Sequence, residues 1–295
     1  MYVRVSSGGR LILLVLILLH GADAASGADL VTAEPPPTPP DLENAPLLLN
    51  ITPQISGFIE LSSSLGKADL EQTAEKSSGW ALRGAVNVPI NAHWHIQIDS
   101  QFDKLKFGEL SDQNLSFGAH AYYRREDRYA VGLYAQYERL SAATLSLGPM
   151  ETSAGLEGAV FLIQSTVLGQ VGLGKGRLEE QDASKLNGLI GARYYHTDNL
   201  RFDLDAGFEQ LLSDDAALKT YSVSTAANYR LSNRPITAFG GYRYRSSSLT
   251  SGETHSEDMT SHGIVAGFRY HFGSTSLKDE ERNGPLWTAA PYLDY

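Results

Sequence analysis

The chain has 295 residues, no cysteine and a formal charge of −10, with 28 glycines and 15 tyrosines. Without Cys there is no disulfide framework, thiol nucleophile, thiolate metal site or cysteine for lipid attachment. The acidic balance argues against a nucleic-acid partner, whose phosphates require Lys and Arg to displace counterions; the length admits one large β-domain or two small soluble domains.

The only continuous apolar run is residues 11–19, preceded by Arg4 and Arg10 and followed by Ala22, Asp23 and Ala24. It is too short to span a bilayer as a helix, which needs about 20 residues, and it has the flanks of a secretory signal peptide. Residues 1–24 are therefore expected to be removed, and losing two Arg and one Asp moves the formal charge from −10 to −11. Residues 25–50 contain Pro35, Pro36, Pro37, Pro39, Pro40 and Pro46 with neither strand nor helix periodicity. They read as an extended, solvated leader, with entry into a pore or binding to a partner as the alternative.

From residue 51 onward the chain alternates between two faces, as side chains do along a strand. Ile55, Gly57, Ile59 and Leu61 oppose Gln54, Ser56, Phe58 and Glu60. Trp80, Leu82, Gly84, Val86, Val88 and Ile90 oppose Ala81, Arg83, Ala85, Asn87 and Pro89; Trp94, Ile96, Ile98, Ser100 and Phe102 oppose His95, Gln97, Asp99, Gln101 and Asp103. Further windows fall at 115–123, 129–137, 152–162, 167–173, 186–194, 200–208, 221–229, 236–244 and 261–272, giving twelve runs. The apolar faces carry no charge, consistent with lipid contact, where Arg or Lys at mid-bilayer costs about 2–4 kcal/mol. Their ends collect aromatics, including Trp80, Trp94, Phe102, Tyr123, Tyr129, Tyr137, Tyr194, Phe202, Phe208, Tyr221, Tyr229 and Tyr244, which suggests two interfacial girdles.

The last run reads SHGIVAGFRYHF, and its Gly267, Phe268, Tyr270 and Phe272 form the pattern Gly-x-x-aromatic-x-aromatic in part. This resembles the terminal strand of bacterial outer-membrane β-barrels. The resemblance implies a small porin-like barrel of about twelve strands, all-β, antiparallel, up-and-down and closed, spanning residues 51–272. It also implies that Gly267, Phe268, Tyr270 and Phe272 act as an insertion signal for the barrel-assembly machinery. The alternative is a soluble sandwich or lipocalin-like barrel whose apolar face is the core.

Short connections are expected at 91–93, 124–128, 163–166, 195–199 and 231–235, and long loops at 62–79, 103–114, 139–151, 175–185, 210–220 and 245–261. With an even strand count both termini share the short-turn side, the periplasm, and the long loops face outward. Residues 273–295 run past the usual end of such barrels. They are expected to form a solvated periplasmic tail, although Trp287, Tyr292 and Tyr295 suggest docking on the barrel rim or on a partner.

The polar face would line the lumen with Arg83, Asp99, Asp103, Arg124, Glu138, Glu157, Arg193, Arg201, Asp203, Asp205, Glu209, Arg230, Arg243, Arg245 and Arg269. The last three strands supply Arg and the third and ninth supply acids, so these residues either orient a solute or pair across and fill the lumen. His-x-Ser, found in barrel lipid hydrolases, does not occur; His93 and His95 are expected on the lumenal face as polar liners. The expectation is a passive channel for small hydrophilic solutes, with no enzyme activity, cofactor or metal. The alternative is a closed barrel serving as a structural or binding platform. Expected partners are outer-membrane lipid and lipopolysaccharide, the assembly machinery, small solutes and a periplasmic partner through the tail, but not nucleic acid.

Overall fold

The computed structural model describes residues 54–70, 73–108, 110–142, 150–178, 181–251 and 255–287. The signal peptide, the leader, and Tyr292 and Tyr295 of the tail lie outside the described residues. Twelve strands follow one another: β1 (Ser56–Leu70), β2 (Thr73–Pro89), β3 (Trp94–Phe107), β4 (Leu110–Arg125), β5 (Tyr129–Ala142), β6 (Met150–Phe161), β7 (Ser165–Leu178), β8 (Gln181–Thr197), β9 (Leu200–Leu212), β10 (Ala216–Arg230), β11 (Ile236–Ser251) and β12 (His255–Phe272). Each pairs antiparallel with its sequence neighbours, and β1 pairs with β12 from Gly57↔Phe272 to Leu70↔Met259, closing the barrel. Closure leaves no sheet edge with unpaired backbone groups, the condition for crossing lipid with strands.

The strands run from 12 to 18 residues, whereas a tilted crossing needs about 9–11. Several connections expected as long loops are hairpins whose pairing continues to Leu70↔Thr73, Phe107↔Leu110 and Leu178↔Gln181. The physical reason is that nothing beyond the bilayer selects apolar residues on the outward face. Alternation therefore fades in stretches such as Lys67, Ala68 and Asp69, while backbone pairing persists.

Outward positions are apolar and uncovered: Ile98 is 61% exposed, Phe268 65% and Leu173 69%. An apolar surface this large and continuous has no place in water. Two aromatic rings bound it. Trp94, Tyr123 and Tyr129 meet at the short-turn end, with ring centroids 5.6 and 6.2 Å apart. Trp80 and Phe102 meet at the other end at 5.4 Å, as do Phe208 and Tyr221 at 5.2 Å. The inward face is polar, and Gln97, Asp99, Gln101, Ser116, His120 and Arg124 are all buried there.

After β12 the chain turns at Gly273, whose φ of 72° lies in the left-handed region. A Cβ there would collide with the Ile55 carbonyl and Ser56. The turn leads to α1 (Leu277–Asn283), capped by Ser276, whose hydroxyl accepts from the Asp279 amide at 3.0 Å. Thr275 donates its own amide and hydroxyl to the Asp279 carboxylate at 2.6 and 2.8 Å. This segment departs from the expected solvated tail: Leu277 is 0% and Trp287 2% exposed. Leu286 and Trp287 pack against the inward-facing Tyr122, Ala130, Ala159, Phe161 and Leu168. An apolar patch on the lumenal side of β4–β7, which water would otherwise wet, receives them.

Candidate channel lumen and C-terminal plug

The residues that hold the C-terminal segment lie near the short-turn ends of eight strands, on the inward face. Arg230 of β10 donates from Nη1 to the Ser274 hydroxyl at 3.0 Å and from Nη2 to the Ser274 carbonyl at 2.7 Å. Thr166 of β7 and Tyr195 of β8 each donate a hydroxyl to Glu281 Oε2 at 2.7 Å. Arg193 of β8 pairs with Glu281 Oε1 at 3.1 Å. Glu280 meets His271 of β12, with Arg269 Nη1 at 3.9 Å. Of the three α1 carboxylates, those of Glu280 and Glu281 point into the barrel and are buried. Charge-assisted bonds of this kind are the stronger class of hydrogen bond.

The rest of the segment is held through its backbone. Arg124 of β4 donates from Nη1 to the Arg282 carbonyl at 3.1 Å and from Nη2 to the Gly284 carbonyl at 2.7 Å. The same Nη2 reaches the Tyr122 hydroxyl at 3.1 Å, which donates to Asn87 Oδ1 at 2.7 Å; Asn87 Nδ2 then donates to the Asn283 carbonyl at 3.1 Å. Gln97 of β3 uses both ends of its amide. Its Nε2 donates to the Trp287 carbonyl at 2.6 Å, and its Oε1 accepts from the Leu286 and Trp287 amides at 2.9 and 3.3 Å. Arg282 faces the rim, donating to the Leu162 carbonyl at 2.6 Å with its guanidinium 4.3 Å from the Phe161 ring centre. The segment is thus a plug seated in the short-turn mouth.

Further along the axis the lumen carries paired charges. His120 of β4 bridges Asp99 of β3 and Glu157 of β6, 2.8 Å from each. Arg269 pairs with Glu60 at 2.5 Å, and Arg83 approaches the same carboxylate at 3.9 Å. Back at the plug's level, opposite Tyr195 and Arg193 on the β8–β9 ladder, Arg201 and Asp203 pair at 2.7 Å, with Asn228 donating to Asp203 at 3.0 Å. Lys185 of β8 sits among Glu151, Glu209 at 2.8 Å and Glu138 at 3.5 Å.

All fifteen charged residues predicted for the lumen lie on inward positions, buried or half-buried. Arg124, Arg193, Arg230 and Arg269 are brought together around the plug. Arg201 and Asp203 pair beside them, opposite Tyr195 and Arg193. Arg83, Asp99, Glu138, Glu157 and Glu209 join the other lumenal pairs, and Asp103 accepts from Gln101 at 3.2 Å. Asp205 is buried on β9, and Arg243 and Arg245 are half-buried on β11.

The expected excess of Arg on the last strands is partly answered from outside those strands, by Glu60 of β1 and by the plug's Ser274 and Glu280. His93 corrects an expectation: it lies in the exposed turn before β3, its ring 5.3 Å from the outward Tyr123. His95 is buried inside and stacked on Tyr122.

Sequence reasoning missed His120, Lys185, Glu151, Glu280 and Glu281. Lys185 and Glu151 were assigned to loops, although Lys185 keeps the two-residue period of Asn187, Gly191, Arg193 and Tyr195. The plug had its own signal in Ser276 followed three residues later by Asp279, a helix start, with Leu277, Glu280 and Glu281 falling on one helical face.

A closed barrel of twelve antiparallel strands with an apolar outer band, two aromatic girdles and a charged interior has the architecture of a bacterial outer-membrane β-barrel. No family model and no curated protein matches the chain. Among solved structures it is similar to an outer-membrane channel from Pseudomonas putida F1, with 11% identity, 74% of this chain and 95% of that one covered, and a TM-score of 0.49. It is also similar to the translocator domain of the autotransporter NalP from Neisseria meningitidis, with 15% identity, 74% and 88% coverage, and a TM-score of 0.46. The KdgM porin in complex with oligogalacturonate gives 10% identity, 72% and 99% coverage, and a TM-score of 0.40. These identities lie far below those at which function is shared.

Proposed function

We propose that the protein is an outer-membrane channel for small hydrophilic solutes, held shut at rest by its own C-terminal segment. The short-turn mouth and its plug face the periplasm, and the extended hairpins face outward. The observation that carries this reading is the plug itself: residues 274–287 occupy one mouth of a polar lumen, held mainly by hydrogen bonds and ion pairs. Such contacts exchange readily for water, whereas a lumen meant only to stay filled would gain as much from apolar packing. No catalytic step, cofactor or metal enters the reading. The inward turn at Gly273 also leaves the outward Phe268 and Tyr270 uncovered, so β12 can still serve as the insertion signal with Gly267 and Phe272.

A second reading is a permanently closed barrel used as a structural platform, favoured by the number of buried ion pairs beyond the plug. Liposome swelling in a small sugar separates the two. Vesicles carrying the intact chain should swell slowly and those carrying a chain ending at Phe272 several-fold faster. Equal impermeability, with both chains inserted and folded, would reject the channel and leave the platform.

A further inference from the structure

We infer that the outward face of β1–β3 carries a binding site for the phosphates of a glycolipid in the outer leaflet. The sequence has eight lysines in a chain of net charge −10, and four of them, Lys67, Lys76, Lys104 and Lys106, lie on this face. Lys67 and Lys76 stand directly opposite each other across the β1–β2 ladder. Lys104 lies beside Trp80 and Lys106 beside Ser78 on the β2–β3 ladder. All four are exposed, and none forms an ion pair with another described residue.

Like charges directly opposite across two strands are unfavourable unless an anion lies between them. Among the described residues, the neighbouring outward groups do not supply one at that level. His262 of β12 is the partner of Lys67 on the other side, and the outward acids on these strands, Asp69 and Asp258, lie further from the membrane.

The height of the lysines identifies the occupant. Phe102 and Trp80 form the outer aromatic girdle, and Lys104 is the next outward residue after Phe102. Lys104 is level with Trp80 and one outward position past Phe102; at about 3.4 Å per residue Lys67, Lys76 and Lys106 stand about 7–14 Å beyond the Trp80 level along the strand, or about 5–10 Å along the membrane normal at a tilt near 40°. That is the head-group layer. Directly below them Leu61, Leu65, Leu82 and Ile264 are exposed and apolar. A ligand with phosphates above and acyl chains below meets both surfaces, which neither free phosphate nor a soluble anion does. The site rests on the membrane placement proposed above but not on the channel, and lipid binding and solute passage are read separately.

The test uses the intact folded protein in detergent and fluorescent bisphosphorylated lipid A. The variant K67Q/K76Q/K104Q/K106Q should bind at least tenfold more weakly, and K104Q/K106Q should fall between it and the parent. Lipid A stripped of phosphate should bind the parent as weakly as the quadruple variant binds the intact lipid. Inorganic phosphate at equal concentration should not displace the lipid. The site is overturned if the quadruple variant binds within twofold of the parent, if phosphate displaces the lipid, or if K175Q/K219Q, at outward positions elsewhere on the rim, causes the same loss.

Discussion

Lys185→Met is expected to lower the unfolding free energy by about 3–5 kcal/mol, the cost of removing one partner from a buried charge cluster. The Lys185 ammonium is 2% exposed, 2.8 Å from Glu209 and 3.5 Å from Glu138, and it also contacts Glu151. Without it three carboxylates from β5, β6 and β9 lose the cation at their centre, although Arg245 still lies close enough to act on Glu151. The repulsion that returns would splay strands that the barrel must keep in register. Asn114 donates to Glu138 at 3.1 Å. Urea unfolding in micelles measures the loss. Adding Glu209→Gln to the variant should recover part of it, because one of the unmatched charges goes. An unchanged midpoint for the single variant would mean that water, not Lys185, balances these acids.

Arg124→Met should open the plug while leaving the barrel folded. The Arg124 side chain makes two bonds to plug carbonyls and one to Tyr122, and it is fully buried. Hydrogen bonds to charged groups are worth about 1.5–3 kcal/mol each, and every 1.4 kcal/mol is about tenfold in an equilibrium. Even allowing for the desolvation that the guanidinium no longer bears, openings in planar bilayers should become about 10- to 100-fold more frequent. Met keeps the apolar stem but not the guanidinium, which lies 5.0 Å from the Tyr122 ring centre, so that contact goes with the hydrogen bonds. If opening frequency did not change, the plug would be held by Leu286 and Trp287 instead.

The barrel itself was legible from alternation. Runs such as Ile96, Ile98 and Ser100 against His95, Gln97 and Asp99 give the strand, the face and the direction in which each side chain points, because lipid selects one face over about ten residues. The count of twelve, the short-turn positions and the inward placement of the charged residues all follow from that selection. Where lipid stops, the outward face stops being apolar: Lys185 keeps the inward phase of its strand, but the exposed Ser184 beside it no longer marks that strand.

The plug was illegible for a different reason. Its contacts pair Glu281 with Thr166, Arg193 and Tyr195, and Gln97 with the backbone at 286–287, across 86 to 190 residues of sequence separation. Neither periodicity nor charge balance carries such pairings. Only local hints were present: Trp287, and a helix start at Ser276 and Asp279 that puts Leu277, Glu280 and Glu281 on one face.

The most direct test of a mouth closed by the chain's own C-terminal segment exploits its lack of cysteine. In Q97C/L286C the two new thiols stand on residues brought together in the lumen, where the Gln97 side chain accepts from the Leu286 backbone amide at 2.9 Å. Single-channel conductance should be silent under oxidising conditions that form the cross-link, and frequent openings should appear when reductant is added. Steady conductance with the cross-link formed would contradict closure by the plug.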